Sequence, residues 1–248
     1  MMDDIVYFIG LPLIIGVISY YFIKFINSGL NSSISVSVKD EVPVFQKNTT
    51  LFYKHHIGSY SDHSSALKEI ISLLPQGSST VQILYDDERS KVPKHLQSAI
   101  GCIFGEDGED FYTQNFAVQL KRFGYERLVI KSVGKVLFCV VPNNQSWFSF
   151  LNLKYRVRSA LSTAFDELET KPESMVIIHV IDTSKNLAYS FIPLENVEEF
   201  IDAQFLQQDE LEAKLARQKF DSDESSSESE PDLSENEGGD EANDEEQE

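Results

Sequence analysis

Residues 50–60 read TLFYKHHIGSY, a stretch rich in β-branched and aromatic side chains that predicts a β-strand. A helix is predicted directly after it, because Ser61 or Asp62 can cap its start. Its apolar residues recur at helical spacing, at Leu67, Ile70, Ile71 and Leu74. Strands are then predicted at 80–85 and 98–104, on either side of a polar loop. The order of this unit is therefore strand, helix, strand, strand.

The second half of the chain repeats that order. Residues 127–141 hold β-rich segments around Gly134, and a long helix is predicted at 147–169. Strands at 175–181 and 187–193 close the second unit, while a connecting helix at 111–123 joins the two units. Two amphipathic helices that cover one antiparallel sheet form a stable two-layer architecture, so the predicted fold class is α+β.

The remaining segments surround this domain, which is expected to span residues 48–195. A polar, Ser-rich tether is predicted before it at 27–47. After it, Asn196 and Glu199 have the spacing of a capping box, which predicts an amphipathic helix at 196–220. Residues 221–248 contain almost no large apolar side chain and are expected to be disordered.

An uncharged apolar run, IVYFIGLPLIIGVISYYFI, extends over 19 residues from Ile5 to Ile23. A run of this length nearly matches the hydrocarbon core of a bilayer, so a transmembrane helix is predicted at 5–26 behind a short N-terminus at 1–4. Two acidic residues precede the run, which argues against a cleaved signal peptide. The residues expected to contact lipid include Ile5, Leu11, Ile14, Ile18 and Ile23.

The expected orientation places the N-terminus on the luminal side and the domain in the cytosol. Lys24 follows the apolar run, whereas Asp3 and Asp4 precede it, and basic residues favour the cytoplasmic side. Two cysteines, Cys102 and Cys139, indicate no disulfide framework. The opposite orientation stays open because glycosylation sequons begin at Asn31, Asn48 and Asn144.

The net charge of −19 is concentrated at the C-terminus, where residues 221–248 hold 14 acidic residues and no Lys or Arg. No basic patch offsets it, so nucleic acid is excluded as an expected partner. The expected partners are the lipid bilayer and cytosolic proteins. Four serines have an acidic residue three positions later and are candidate phosphorylation sites: Ser225, Ser227, Ser229 and Ser234.

No catalytic, metal or cofactor site is predicted. Adjacent His55 and His56 point to opposite faces of their strand and cannot share a metal. The two cysteines lie in apolar strands, where a thiol behaves as a small hydrophobic group. Trp147 is expected to anchor the core, and the helix cations are expected on a solvated face, at Lys154, Arg156 and Arg158. The chain is therefore predicted not to be an enzyme.

Several short motifs occur in one order along the chain. YKHHIGSY at 53–60 is followed by Tyr85-Asp86, Val92-Pro93 and Gly101-Cys102-Ile103, and later by RFGY at 122–125. In this order the chain resembles the testis-expressed protein 264 family, from about residue 5 to 195. The residues that carry the resemblance include Tyr53, Lys54, His56, Gly58, Tyr60, Tyr85, Asp86, Pro93 and Gly101.

The resemblance implies a GyrI-like domain of two strand-helix-strand-strand repeats and residence in the endoplasmic reticulum membrane. It further implies a receptor role in selective autophagy of that organelle, with autophagy-related ubiquitin-like proteins as partners. Such receptors bind through an aromatic residue followed at the third position by an aliphatic one. In this tail the last aromatic, Phe220, is followed at that position by Asp223. The alternative is a membrane-tethered domain that binds or carries a small molecule in the cleft between its repeats.

Overall fold

The computed structural model describes residues 10–227, with side chains described as far as residue 217. The chain divides after Phe205 into two units. The first unit contains the sheet and its helices. The helices are α1 (Leu11–Ile26), α2 (His63–Leu73), α3 (Gln114–Arg122), α4 (Trp147–Leu151) and α5 (Arg158–Asp166), and the second unit holds α6 (Gln208–Ser227). The strands are β1 (Ser37–Lys39), β2 (Thr49–Ile57), β3 (Ser79–Leu84), β4 (Gln97–Glu106), β5 (Glu109–Asp110), β6 (Glu126–Ile130), β7 (Val136–Pro142), β8 (Ile177–Asp182) and β9 (Leu187–Pro193).

All of the strand pairs in the sheet are antiparallel, and the main order is β1-β7-β9-β8-β3-β4-β2-β6. One repeat consists of β2, α2, β3 and β4, and the other of β7, α4–α5, β8 and β9. The two repeats meet where β3 pairs with β8, with Gln82 opposite His179. The expected α+β class with an antiparallel sheet is therefore observed, and the junction of the repeats lies at the centre of the sheet.

The helices cover one face of this sheet, because alternate strand residues point to that face. Two apolar clusters form there. One packs α2 and α3 on Phe52, Cys102 and Phe104, and the other packs α5 and the helical turn before it on β7–β9. The opposite face is covered by loop segments whose buried residues are Val42, Phe45, Val197 and Phe200. Both faces are thus buried, which accounts for the nearly continuous burial of β3, β4, β8 and β9.

The transmembrane helix predicted at 5–26 is not supported. Between residues 10 and 227, no helix combines the length and the apolar character that a membrane crossing requires. The apolar helix α1 has 16 residues. Leu11, Ile14, Ile18 and Ile23 lie on α1 and are exposed, and Ile5 lies outside the described residues.

The segment expected to be a tether packs against the domain instead. Ser28 is fully buried, and its backbone oxygen accepts a hydrogen bond of 3.2 Å from the Ser149 hydroxyl. The Asn144 amide nitrogen donates to the backbone oxygen of Lys24 at 2.8 Å. Arg156 donates to the backbone oxygens of Leu30 and of Ser32, the second at 3.0 Å. The base of α1 is therefore held by the loop and helix around residue 149.

The region after the domain also differs from the expected helix at 196–220. Asn196 has a φ of +52° and makes no capping hydrogen bond, and only a short 3₁₀ turn follows at Val197–Phe200. Phe200 is buried on the loop-covered face of the sheet, so tertiary burial overrides the local capping signal. The backbone of α6 continues to Ser227, into the segment predicted to be disordered. Ser225 and Ser227 lie on α6, whereas Ser229 and Ser234 lie outside the described residues.

Candidate functional site: a cleft between two helices

A cleft of about 530 Å³ opens over the junction of the two repeats. Residues of α2 form one wall, and α4 with the loop before it forms the other, while β3 and β8 provide the floor. The residues that line it include Leu67, Lys68, Ile71, Thr80, Gln82, Trp147 and Phe150. The volume lies in the range of small-molecule sites, which is roughly 300–1,000 Å³.

The walls of the cleft expose large apolar side chains. Trp147, the chain's single tryptophan, is 68% exposed, and Ile71 across the cleft is 44% exposed. Leu67 and Phe150 line the same space and are half-buried. The expectation that Trp147 anchors the core is therefore wrong. Ser146 caps α4 by accepting a hydrogen bond from the Ser149 amide, and this cap places Trp147 at the first helical position, at the edge of the cleft.

The floor, in contrast, is polar and buried. Thr80 is 1% exposed, and among the described residues its hydroxyl has no hydrogen-bond partner. Gln82 lies two residues along the same strand and contacts His63 through its side-chain oxygen, 3.4 Å from Nδ1. His63 in turn lies with Nε2 2.9 Å from the hydroxyl oxygen of Ser98. A free buried hydroxyl is unusual in a protein, and it offers a hydrogen bond to a molecule in the cleft.

Two buried histidines extend this polar layer across the sheet. His179 is paired in register with Gln82, and its Nδ1 lies 2.8 Å from the Ser190 hydroxyl oxygen. Burial lowers the pKa of His63 to about 3, against the weaker effect of the Gln82 hydrogen bond. Burial likewise lowers the pKa of His179 to about 3, and the charge of Arg158 acts in the same direction. Both rings are therefore neutral at neutral pH.

The charge on the cleft is positive. Lys68 lines the mouth, is exposed, and makes no ion pair with the part of the chain that the structure describes. Lys154 approaches the same rim and donates a hydrogen bond of 2.7 Å to the hydroxyl of Ser61. No Asp or Glu between residues 10 and 217 lines this cleft. A ligand here therefore meets apolar walls, a neutral polar floor and cations at the rim.

A second polar cluster lies on the opposite face of the sheet and is closed. The Asp202 carboxylate accepts a hydrogen bond of 2.7 Å from the Tyr85 hydroxyl and lies 2.9 Å from His55 Nδ1. Burial favours a raised pKa for Asp202, but the hydrogen bonds from His55 and Tyr85 outweigh it and hold that pKa below its usual value. His55 and His56 do point to opposite faces, as predicted, since His56 contacts His63 on the helix-covered face.

The motif residues that suggested a family support the fold rather than line the cleft. The Tyr60 hydroxyl bonds to the backbone oxygens of Asp86 and Gln97, each at 3.0 Å. The Asp86 carboxylate pairs with Lys91 and accepts the Gln97 amide at 2.7 Å. Lys54 pairs with Glu69. The remaining motif residues hold strands or turns around these contacts, at Tyr53, Gly58, Pro93 and Gly101.

The structure also shows the surroundings of the helix arginines and of the two cysteines. The expectation of a solvated face is wrong for Arg156, which holds backbone oxygens of residues 30 and 32, and for Arg158, which pairs with Glu88. Burial raises the pKa of Cys102 and of Cys139 to about 12, so both thiols stay protonated. Within residues 10–227, no group of three or more His, Cys, Asp or Glu side chains is placed to hold a metal ion.

No protein-family profile matches the chain. The solved structures that resemble it do so weakly. The C-terminal domain of EcmrR has 12% identity and a TM-score of 0.36, over 65% of this chain and 98% of that domain. A hydrolase from Listeria innocua has 8% identity and a TM-score of 0.34, over 64% of this chain and 91% of that one.

The partners predicted from charge and hydropathy need correction. A further similar structure is EcmrR in a complex with DNA, at 11% identity and a TM-score of 0.35, over 73% of this chain and 64% of that one. The prediction that excludes nucleic acid is not supported, and likeness at this level gives no argument for DNA binding either. The lipid bilayer was expected as a partner of a transmembrane helix, and that helix is not supported.

Among curated proteins, the testis-expressed protein 264 homolog of Mus musculus is 28% identical to this chain over 140 residues. The match covers 56% of this chain and 43% of the mouse protein, so the chain corresponds to less than half of that relative's length. The matched length is close to that of the α+β domain. The resemblance predicted from the ordered motifs is therefore confirmed, and this chain is similar to testis-expressed protein 264.

Proposed function

We propose that this chain is a non-enzymatic binding protein whose α+β domain holds a partly apolar ligand in the cleft between α2 and α4. One observation carries the proposal. The buried Thr80 hydroxyl, which has no partner in the described part of the chain, lies beneath walls that expose Trp147 and Ile71. A ligand that covers these walls removes apolar surface from water and satisfies the free hydroxyl, and both changes favour binding.

The proposal also holds that the chain is not an enzyme. Polar side chains at and beneath the floor of the cleft support this part of it. Ser98, His63 and Gln82 form a hydrogen-bonded chain that has the connectivity of a catalytic triad. Ser98, however, is fully buried and does not line the cleft, so a substrate in the cleft does not reach its hydroxyl. His63 is a poor general base because burial lowers its pKa to about 3, and an amide stands where a triad has a carboxylate. These features support a structural role for the three side chains.

The cleft is tested by titrating 1-decanol, below its solubility limit, into the full chain and following the fluorescence of Trp147. We expect a saturable change, because Trp147 is the only tryptophan and lines the cleft. Ile71→Arg places a charge on the apolar wall and should weaken binding about tenfold or more. The matched control is Val118→Arg, on an exposed residue of α3 that does not line the cleft. No fluorescence change, or equal weakening by both substitutions, would overturn the proposal.

A second candidate function is that of an adaptor resident at the endoplasmic reticulum, resembling receptors for selective autophagy of that organelle. The similarity to the mouse testis-expressed protein 264 homolog supports it. Proximity labelling with the full chain should recover endoplasmic reticulum proteins together with a set of specific partners. A chain that ends at Phe220 keeps the domain and loses the acidic tail, so partners lost with it are assigned to the tail. Labelling without enrichment of that organelle's proteins contradicts this function.

A further inference from the structure

We infer that the cleft selects an amphiphile with a single apolar chain and an anionic head, and that Lys68 binds the head. The inference rests on the proposed binding function and names the class of ligand. Lys68 is the charged residue that lines the cleft, and it has no ion pair within the described part of the chain. Its neighbour Glu69 is already engaged by Lys54 at 2.9 Å and by the Tyr125 hydroxyl at 3.1 Å.

The sign of the local charge is opposite to that of the whole chain. The formal net charge is −19, and it remains negative when the acidic tail is left out. Long-range electrostatics therefore disfavour the approach of an anion. A preference for anions must then come from nearby cations, which here are Lys68 and, at the same rim, Lys154. A cationic amphiphile would meet these cations, and among the described residues no carboxylate lines the cleft to offset them.

The shape of the site suits an extended apolar chain. A second cavity of about 440 Å³ adjoins the cleft and shares Ile71, Thr80, Gln145 and Thr183 with it. Together the two cavities follow α2 from Ser61, near the rim cations, to Gly77 beyond the end of the helix. An apolar chain can thus lie along Leu67 and Ile71 while its head stays at Lys68. Thr80 lines both cavities, and among the described residues its buried hydroxyl has no hydrogen-bond partner.

The test compares decanoate, decyl phosphate, 1-decanol and decyltrimethylammonium, all below their micellar concentrations, on the full chain with Trp147 fluorescence as the readout. Decanoate and decyl phosphate separate a carboxylate from a phosphate head. We expect the anions to bind about three to five times more tightly than the cation, because an exposed ion pair adds only a small attraction. Lys68→Gln should remove the difference between decanoate and decanol, and Lys68→Glu should reverse the order of anion and cation.

The control for these substitutions is Lys121→Glu, which makes the same change of charge at an exposed position outside the cleft. It should leave the anion preference intact. Equal binding of all four amphiphiles, or a preference for the cation, overturns the inference and leaves the proposed binding function standing. If none of the four changes the fluorescence of Trp147, both the inference and the proposed function fail.

Discussion

Replacing Gly101 with alanine is expected to destabilise the domain by about 4 kcal/mol or more, the range in which single substitutions unfold small domains. Gly101 lies in the middle of β4, opposite Tyr53 of β2 and Val81 of β3. A Cβ atom at this position would lie 1.9 Å from the backbone oxygen of Phe52 and 2.7 Å from the Cα atom of Tyr53. Both contacts are with the backbone of β2, which pairs with β6 on its other side. Because β2 is held between β4 and β6, it cannot move away from Gly101 without disturbing the sheet.

Chemical denaturation of the full chain, followed by far-ultraviolet circular dichroism, measures this effect. Gly134→Ala is the matched control, because a Cβ there meets only the carboxylate end of the flexible Glu195 side chain, at 2.5 Å. The control should shift stability by about 1 kcal/mol or less, since alanine also restricts the unfolded chain. Similar unfolding midpoints for the two variants would contradict the prediction that the close distance between β2 and β4 excludes a side chain at position 101.

Acid is expected to destabilise the domain through its two buried histidines. Both have a pKa of about 3 in the folded protein, compared with about 6.5 in an unfolded chain. The unfolded chain therefore takes up protons first as the pH falls. The stability from neutral burial is fully present above pH 6.5 and is lost progressively between about pH 6.5 and pH 3. From pH 7 to pH 4.5, each histidine should account for a loss of roughly 2–3 kcal/mol in the free energy of unfolding.

The substitution that isolates this effect is His179→Asn. Asparagine places an amide close to the position of Nδ1 and so keeps a hydrogen bond to Ser190, but it does not titrate. The variant should be less stable than the unmodified protein at pH 7, yet should lose about 2–3 kcal/mol less between pH 7 and pH 4.5. Identical pH dependence in the His179 variant would mean that this ring is not the buried neutral group described here.

Local sequence patterns determined the architecture of the domain to a large extent. The strand at 50–60 and the helix with Leu67, Ile70, Ile71 and Leu74 correspond to β2 and α2, within a few residues at their ends. The second repeat was predictable for the same reason: side-chain periodicity along a strand or a helix is a property of neighbouring residues. The short strands β1 and β5 were missed, because two or three residues show no periodicity.

The N-terminal and C-terminal segments show where local patterns fail. The apolar run at 5–23 matched a transmembrane helix in composition, but no helix between residues 10 and 227 combines the length and the apolar character of a membrane span. Asn196 and Glu199 have the residue types and spacing of a capping box, which predicted a long helix. Phe200 is instead buried on the sheet, and residues 197–200 form only a short 3₁₀ turn. Arg156 looked like a surface cation and instead binds backbone oxygens of a segment more than 120 residues earlier in the chain.

The sequence by itself therefore determined the two repeats, the α+β class and the family resemblance, because each rests on residues that are close together along the chain. Only the tertiary structure decided the candidate site. Lys68, Thr80 and Trp147 come from three separate elements and meet only because β3 pairs with β8 at the junction of the repeats. Whether Trp147 is buried, and whether Thr80 has a partner, depends on how far apart α2 and α4 lie above that junction. That separation is set by long-range packing, which no spacing of residues along the chain records.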